Sequence, residues 1–228
     1  MLFGSYTSAY SNPLELRRCF SSLQGKVDKI ICHFGPYKDY DNNGIFENFQ
    51  DCIKVARDYG AIFFQNLSPL PEYVKRSFAS IYAEVLGLDF LLIIDSDEFI
   101  DSTQSNFSKF KEKAIDIAIN KYSGMYNIFS CIVEYGNQTY KALPRVWYKP
   151  HEVRYNKTHF SLTVDNKKCP YLKDPKYKER IPSKELLPHL VIRSNYDLRD
   201  KKENNRHANY LNILRNRESV FSNDERFM

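Results

Sequence analysis

Residues 88–101 read LDFLLIIDSDEFID. Phe90, Leu91, Leu92, Ile93 and Ile94 form an apolar run that nothing polar breaks before Asp95. A short run without alternation suits a strand covered on both faces, because a strand wetted on one face shows a period of two. The run then stops on Asp95, Asp97 and Glu98, with Asp101 close behind. Repelling carboxylates therefore abut the most apolar strand of the chain, and burial there would raise their cost further.

The residues before this stretch repeat one pattern. Residues 2–7, 29–34 and 61–67 are short apolar strand candidates, and a helical pattern follows each. Ser11 or Asn12 can cap the first helix, Pro13 sits in its first turn, and Leu14, Leu16, Cys19, Phe20 and Leu23 make its stripe. Residues 46–60 and 71–87 are amphipathic and end on Gly60 and Gly87. These three rounds of strand then helix, with the 90–94 strand opening a fourth, predict an α/β fold with a mainly parallel central sheet flanked by helices. In such sheets ligands bind beyond the carboxyl ends of the strands, near the point where strand order reverses. The acidic cluster falls at that kind of position.

Beyond Ile100 the pattern changes. Residues 106–123 read as one more helix, and 124–136, 144–150 and 152–164 as β-rich segments. A last helix over 200–216 places Tyr210, Leu211 and Leu214 inward and basic residues outward. The expectation is a single domain over 1–228, with a nucleotide-type half (1–102) and a β-rich acceptor-side half (103–228).

Composition narrows the classes. A chain of 228 residues that is 43% hydrophobic can bury a substantial core. Its longest apolar stretches fall far short of the ~20 residues that span a bilayer. The first residues, MLFGSYTSAYSNP, show neither the basic segment nor the apolar core of a secretory leader. Cys19, Cys32, Cys52, Cys131 and Cys169 are scattered without zinc spacing, which suits reduced thiols and a cytoplasmic location. The net charge of +5 favours anionic partners, and the basic last helix permits peripheral contact with an anionic membrane.

Two readings of D-S-D-E compete. Asp95 and Asp97 can converge on Mn²⁺ or Mg²⁺, hard cations that take carboxylate, water and phosphate oxygens. The same residues could instead cap a helix with an acidic first turn. A cap needs only one Asp and one Glu, and leaves the adjoining apolar strand unexplained.

The apolar strand ending in DSDE resembles the D-x-D motif of GT-A-fold glycosyltransferases, in particular small family 2 and family 92-like nucleotide-sugar transferases. Other segments agree in order. LFGSYTS resembles their first strand and turn, VKRSFA (74–79) their K-R-N-x-A segment, and RVWYKPHEVRYNKTHF their R-[LV]-[FW]…R-[FY]…H stretch. LLPHLVIRSN and RHANYLNILRNRE resemble their late His and closing basic helix. The turn HFGPYKDYDNN departs from the usual D-x-G-S-x-D, so Asp39 or Asp41 would have to replace the base-binding Asp. His159-Phe160 stands where relatives carry His-Glu.

The resemblance implies a metal-dependent transfer of a sugar from a nucleoside-diphosphate sugar to a hydroxyl acceptor, with inversion. Asp95, Asp97 and His189 would hold the Mn²⁺ or Mg²⁺. Tyr6, Thr7, Arg76 and Asp95 would contact the donor. Asp165 and His159 are the candidate general bases, with Glu152 and Glu134 behind them, and Glu98 is a supporting residue. The acceptor would be a glycan, a lipid-linked sugar or a protein. The competing readings are a nucleotidyltransferase of related fold and a non-catalytic nucleotide- or nucleic-acid-binding protein. GSYTSAYSNP lacks the glycine-rich loop of the first, and no recognisable nucleic-acid-binding motif supports the second.

Overall fold

A computed structural model describes residues 1–9, 12–37, 49–120, 128–135, 138–155, 162–164, 167–169 and 189–194. Its first half follows the predicted alternation: β1 (Phe3–Ala9), α1 (Pro13–Leu23), β2 (Lys29–Phe34), α2 (Phe49–Asp58), β3 (Ile62–Gln65), α3 (Glu72–Val85) and β4 (Phe90–Ile93). Asn12 caps α1 by accepting the Leu14 and Glu15 N–H groups on its side chain, with Pro13 at the first helical position. β5 (Glu98–Ile100), α4 (Phe107–Asn120), β6 (Ile128–Tyr135) and β7 (Gln138–Tyr148) follow. After a 3₁₀ turn at Pro150–Glu152 come β8 (Val153–Tyr155), β9 (Leu162–Val164), β10 (Lys167–Cys169) and β11 (Val191–Ser194).

The main sheet runs β3-β2-β1-β4-β7-β6-β11-β5. β3, β2, β1 and β4 are mutually parallel, β7 is antiparallel to β4 and β6, and β11 is parallel to β6. β8, β9 and β10 form a separate small antiparallel sheet. Strand order therefore reverses between β1 and β4: β2 and β3 grow to one side, and everything after β4 to the other.

Helices cover both faces. α1, α2 and α4 bury Leu16, Phe20, Cys52, Ile53, Phe110 and Ala114 with Phe3, Phe90 and Leu92. On the opposite face α3 sets Ala79 and Ala83 against Tyr6, Ile31, Leu91, Ile93 and Trp147. Alternate residues of β4 thus feed two cores, which is why its sequence shows no polar alternation. Phe90 to Ile94 are all within 1% of full burial. Five such side chains contribute on the order of 10 kcal/mol of transfer free energy, an upper figure that makes β4 a stiff base for the acidic turn at its end.

β5 is the far edge strand in the hydrogen-bonded ladder, yet a tight turn joins it directly to β4. Glu98 N–H donates to Asp95 O at 3.0 Å, so the ends of that turn lie within about 7 Å. The β7-β6-β11-β5 half of the sheet must therefore curl until its edge returns beside the end of β4. The pattern of residues did not announce β5 or β11. Both are three- or four-residue strands that pair with each other in antiparallel register, Ile192 opposite Ile100 and Ser194 opposite Glu98.

Cys19, Cys32, Cys52 and Cys131 are buried free thiols. Among the described residues no helix is long and apolar enough to cross a membrane. The helix expected over 200–216 lies outside the described residues.

Candidate active site at the strand-order reversal

Extending the β1–β4 register past Tyr6↔Ile93 brings Ser8 alongside Asp95 at the carboxyl ends of both strands. Ile94 N–H donating to Tyr6 O at 3.1 Å continues the ladder to that point. In sheets of this kind the ligand crevice lies at this point, beyond the carboxyl ends of the strands where their order reverses.

A chain of alternating charges crosses the crevice. Arg76, from α3, donates through Nε to Glu72 Oε1 and through Nη2 to Asp95 Oδ1, both at 2.7 Å. Arg145, near the end of β7, approaches Asp95 Oδ2 through Nη1 at 3.4 Å and donates through Nη2 to Glu98 Oε1 at 2.7 Å. Glu98 is fully buried, and its Oε2 accepts the Asp95 backbone N–H at 2.9 Å. Glu72, Arg76, Asp95, Arg145 and Glu98 thus join α3, the turn after β4, and β7. Among the described residues this chain sets three carboxylates against two guanidiniums, and Asp97 lies half-buried in the same turn.

Beside this chain lies a buried amine. Lys75 is fully buried, donates to Gly35 O at 2.8 Å, and sits 3.9 Å above the Tyr37 ring. Burial pulls its amine down to about 7, with nearby Cys32 and Glu72 opposing and Arg76 assisting. The Tyr37 and Ser8 hydroxyls meet at 2.5 Å, and burial pushes Tyr37 up. His33 is held down to about 3, by burial first and by Lys75 second.

The predicted site residues separate into groups. Asp95, Asp97 and Arg76 are brought together. Tyr6 is buried in the α3-side core, where its hydroxyl donates to Lys75 O at 2.6 Å and lies 3.2 Å from His33 Nδ1. Thr7 is fully buried on the other face, 3.9 Å from Cys19 Sγ. Both expected donor contacts are thus engaged inside the protein, because a strand covered on two faces turns neither side chain to the crevice.

His189 is not brought to Asp95. It precedes β11, at the opposite end from Ser194, the residue paired with Glu98. Its carbonyl accepts the Asn106 N–H at 3.1 Å, and its imidazole is shifted down by burial and by Lys109 and Lys113. The expected Asp95–Asp97–His189 ligand set is not assembled, and among the described residues no group of three or more His, Cys, Asp or Glu could hold a metal ion. What fits a divalent cation is the donor chemistry: Asp97 is a half-buried carboxylate in the turn after β4, two residues beyond Asp95. One carboxylate plus ligand phosphates and water is an ordinary Mg²⁺ arrangement. Asp165 and His159 lie outside the described residues, as do Asp39 and Asp41. Trp147, fully buried under α3, is a core residue rather than a sugar platform.

Arg145, Lys75 and Tyr37 carry no individual signal in the sequence. Arg145 heads the RVWYKP segment, and Lys75 directly precedes Arg76 in VKRSFA, so both lie inside the segments that carry the family resemblance.

No protein-family model matches the chain, and no curated protein does. Solved structures that resemble it include residues 1–349 of S. aureus TarS, at 17% identity and a TM-score of 0.40, covering 64% of this chain and 39% of that one. The same protein in complex with UDP-GlcNAc gives 16% and 0.39, covering 64% and 37%. HddC from Yersinia pseudotuberculosis gives 11% and 0.37, covering 66% and 75%. This chain therefore spans about two fifths of the TarS fragment's length.

Proposed function

We propose that the chain is a GT-A-type glycosyltransferase that moves a sugar from a nucleoside-diphosphate sugar to a hydroxyl acceptor. The observation that carries this reading is the Asp95–Glu98 turn, held by two arginines at the reversal point between β1 and β4. The ordered motif set of the sequence supports it, since DSDE, VKRSFA and RVWYKP converge on this one crevice.

The roles follow from chemistry. Arg76, already oriented by Glu72 and Asp95, faces the diphosphate as a planar cation. Asp97 would hold a divalent cation, Mn²⁺ or Mg²⁺. When bound, that ion offsets charge building on the departing nucleoside diphosphate. Asp95 acts as the carboxylate that keeps Arg76 and Arg145 in place. The acceptor oxygen attacks the anomeric carbon, the bond to the diphosphate oxygen breaks, and a general base takes the hydroxyl proton. Asp165 is assigned that base, with His159 as the alternative, and attack from the face opposite the leaving group inverts the sugar. The acceptor class is a glycan, a lipid-linked sugar or a protein, and the basic segment 200–216 would let the protein meet it at an anionic membrane surface.

Thermal unfolding with a panel of nucleotide sugars, with and without Mn²⁺, tests the reading. Metal-dependent stabilisation by one donor is expected, because a ligand at 100 times its Kd adds about 2.7 kcal/mol. Stabilisation by no nucleotide or nucleotide sugar would refute it.

A further inference from the structure

Arg145 closes the acidic turn from outside it. Its register neighbour Val146 pairs with Leu92, which sets Arg145 beside the last residues of β4. From there the guanidinium forks, Nη2 to Glu98 Oε1 at 2.7 Å and Nη1 to Asp95 Oδ2 at 3.4 Å. The turn is then tied twice more: Asp95 N–H to Glu98 Oε2 at 2.9 Å, and Glu98 N–H to Asp95 O at 3.0 Å. Only Ser96 and Asp97 stand between the tied ends.

We propose that Arg145 is a positioning residue, which through Glu98 and Asp95 fixes the backbone that presents Asp97 to the cation and diphosphate of a nucleotide ligand. This rests on the proposed glycosyltransferase function. A stabilising role alone accounts poorly for the arrangement, because a buried ion pair is often no better for stability than apolar residues of similar size. A planar fork supplies what they cannot, two acceptors held at a set separation on the two ends of one turn. Lysine would keep the charge and reach only one acceptor at a time. Removing Arg145 alone would strand the buried Glu98 carboxylate, so the informative variant neutralises both while keeping an acceptor for the Asp95 N–H.

The test compares the parent, Arg145→Lys, and the double variant Arg145→Met with Glu98→Gln. Amide exchange at residues 95 and 98 reports the turn, and calorimetric titration of UDP in the presence of Mn²⁺ reports the site. The double variant is expected to fold, to exchange those two amides at least tenfold faster than the parent with β1 and β2 unchanged, and to bind UDP–Mn²⁺ about 10–100-fold more weakly, the usual cost of losing an outer-shell partner. Arg145→Lys should fall between the two. A folded double variant with parental exchange and parental affinity would overturn the proposal. If the parent itself binds neither UDP–Mn²⁺ nor GDP–Mn²⁺, the functional reading falls, while exchange at 95 and 98 still decides whether Arg145 holds the turn.

Discussion

Arg76 donates through Nη2 to Asp95 Oδ1 at 2.7 Å, tying α3 to the end of β4. Their side chains are 7% and 24% exposed, so the pair lies between a surface bridge and a fully buried one. Arg76→Gln and Asp95→Asn should each lower stability by about 2 kcal/mol, less than a fully buried pair would lose because water screens Asp95. The double variant should lose less than the sum of the two, with a coupling of about 1 kcal/mol. Urea unfolding of the four proteins measures this, and strictly additive losses would mean the contact contributes nothing of its own.

Asp97 carries the proposed cation. Asp97→Asn should keep the fold, since the change is nearly isosteric and leaves the arginine contacts and the Asp95–Glu98 bonds of the turn in place. Stabilisation by the nucleotide sugar that the donor panel selects should lose its dependence on Mn²⁺ in this variant, and chelation by EDTA should abolish it in the parent. Asp95→Asn should weaken the same response less sharply, because Asp95 is engaged with two arginines. Equal metal response in the parent and Asp97→Asn would move the cation elsewhere.

The parallel half of the fold was legible because its residues carry single-valued signals. Asn12, Pro13 and the stripe through Leu16, Cys19 and Phe20 specify α1, and the unbroken β4 run specifies a strand covered twice. β5 and β11 were hidden for a physical reason. Three or four residues span too little pattern, and Glu98, a charge inside a strand, reads as surface until Arg145 and the Asp95 amide satisfy it. The site was legible as a location and less so as a set of contacts. The D-S-D-E pattern sets Asp95 beside a cation, and the fold shows that Arg76 and Arg145 are cations in contact with it. His189 illustrates the same limit, since residue order alone does not reveal that it precedes β11 at the end opposite Ser194, the residue paired with Glu98.

Gly35 is expected to resist substitution. Its φ of +134° is a backbone conformation that side chains rarely adopt, and a Cβ there would meet the Asn66 backbone oxygen and side chain. Asn66 cannot withdraw cheaply, because its Nδ2 donates to Pro36 O and Ser68 O. Gly35→Ala should therefore cost about 3 kcal/mol, combining backbone strain with a clash. At this chain length that is roughly a 6–12 °C drop in Tm by calorimetry. An unchanged Tm would show that the β2 turn relaxes freely.

Lys75 should give the protein a pH dependence of definite sign. Its folded value of about 7 lies below the ordinary 10.5, so between those two the unfolded chain binds a proton that the folded chain does not. Stability should then rise with pH from about 7 upward and be insensitive to this group below that. The full span is worth on the order of 5 kcal/mol. Buried thiols oppose the trend above pH 9, since Cys52 is pushed up to about 12 and folding must keep it protonated. The clean comparison is the difference between the parent and Lys75→Met, in which the thiols cancel. Lys75→Met loses the bond to Gly35 O and the contact with Tyr37, yet removes a buried charge. Its stability relative to the parent should be greatest at pH 7 and decline steadily toward pH 9 in urea unfolding. A difference that does not change over that range would mean that the Lys75 amine stays charged throughout, held by Glu72 and the Tyr37 ring against the cost of burial.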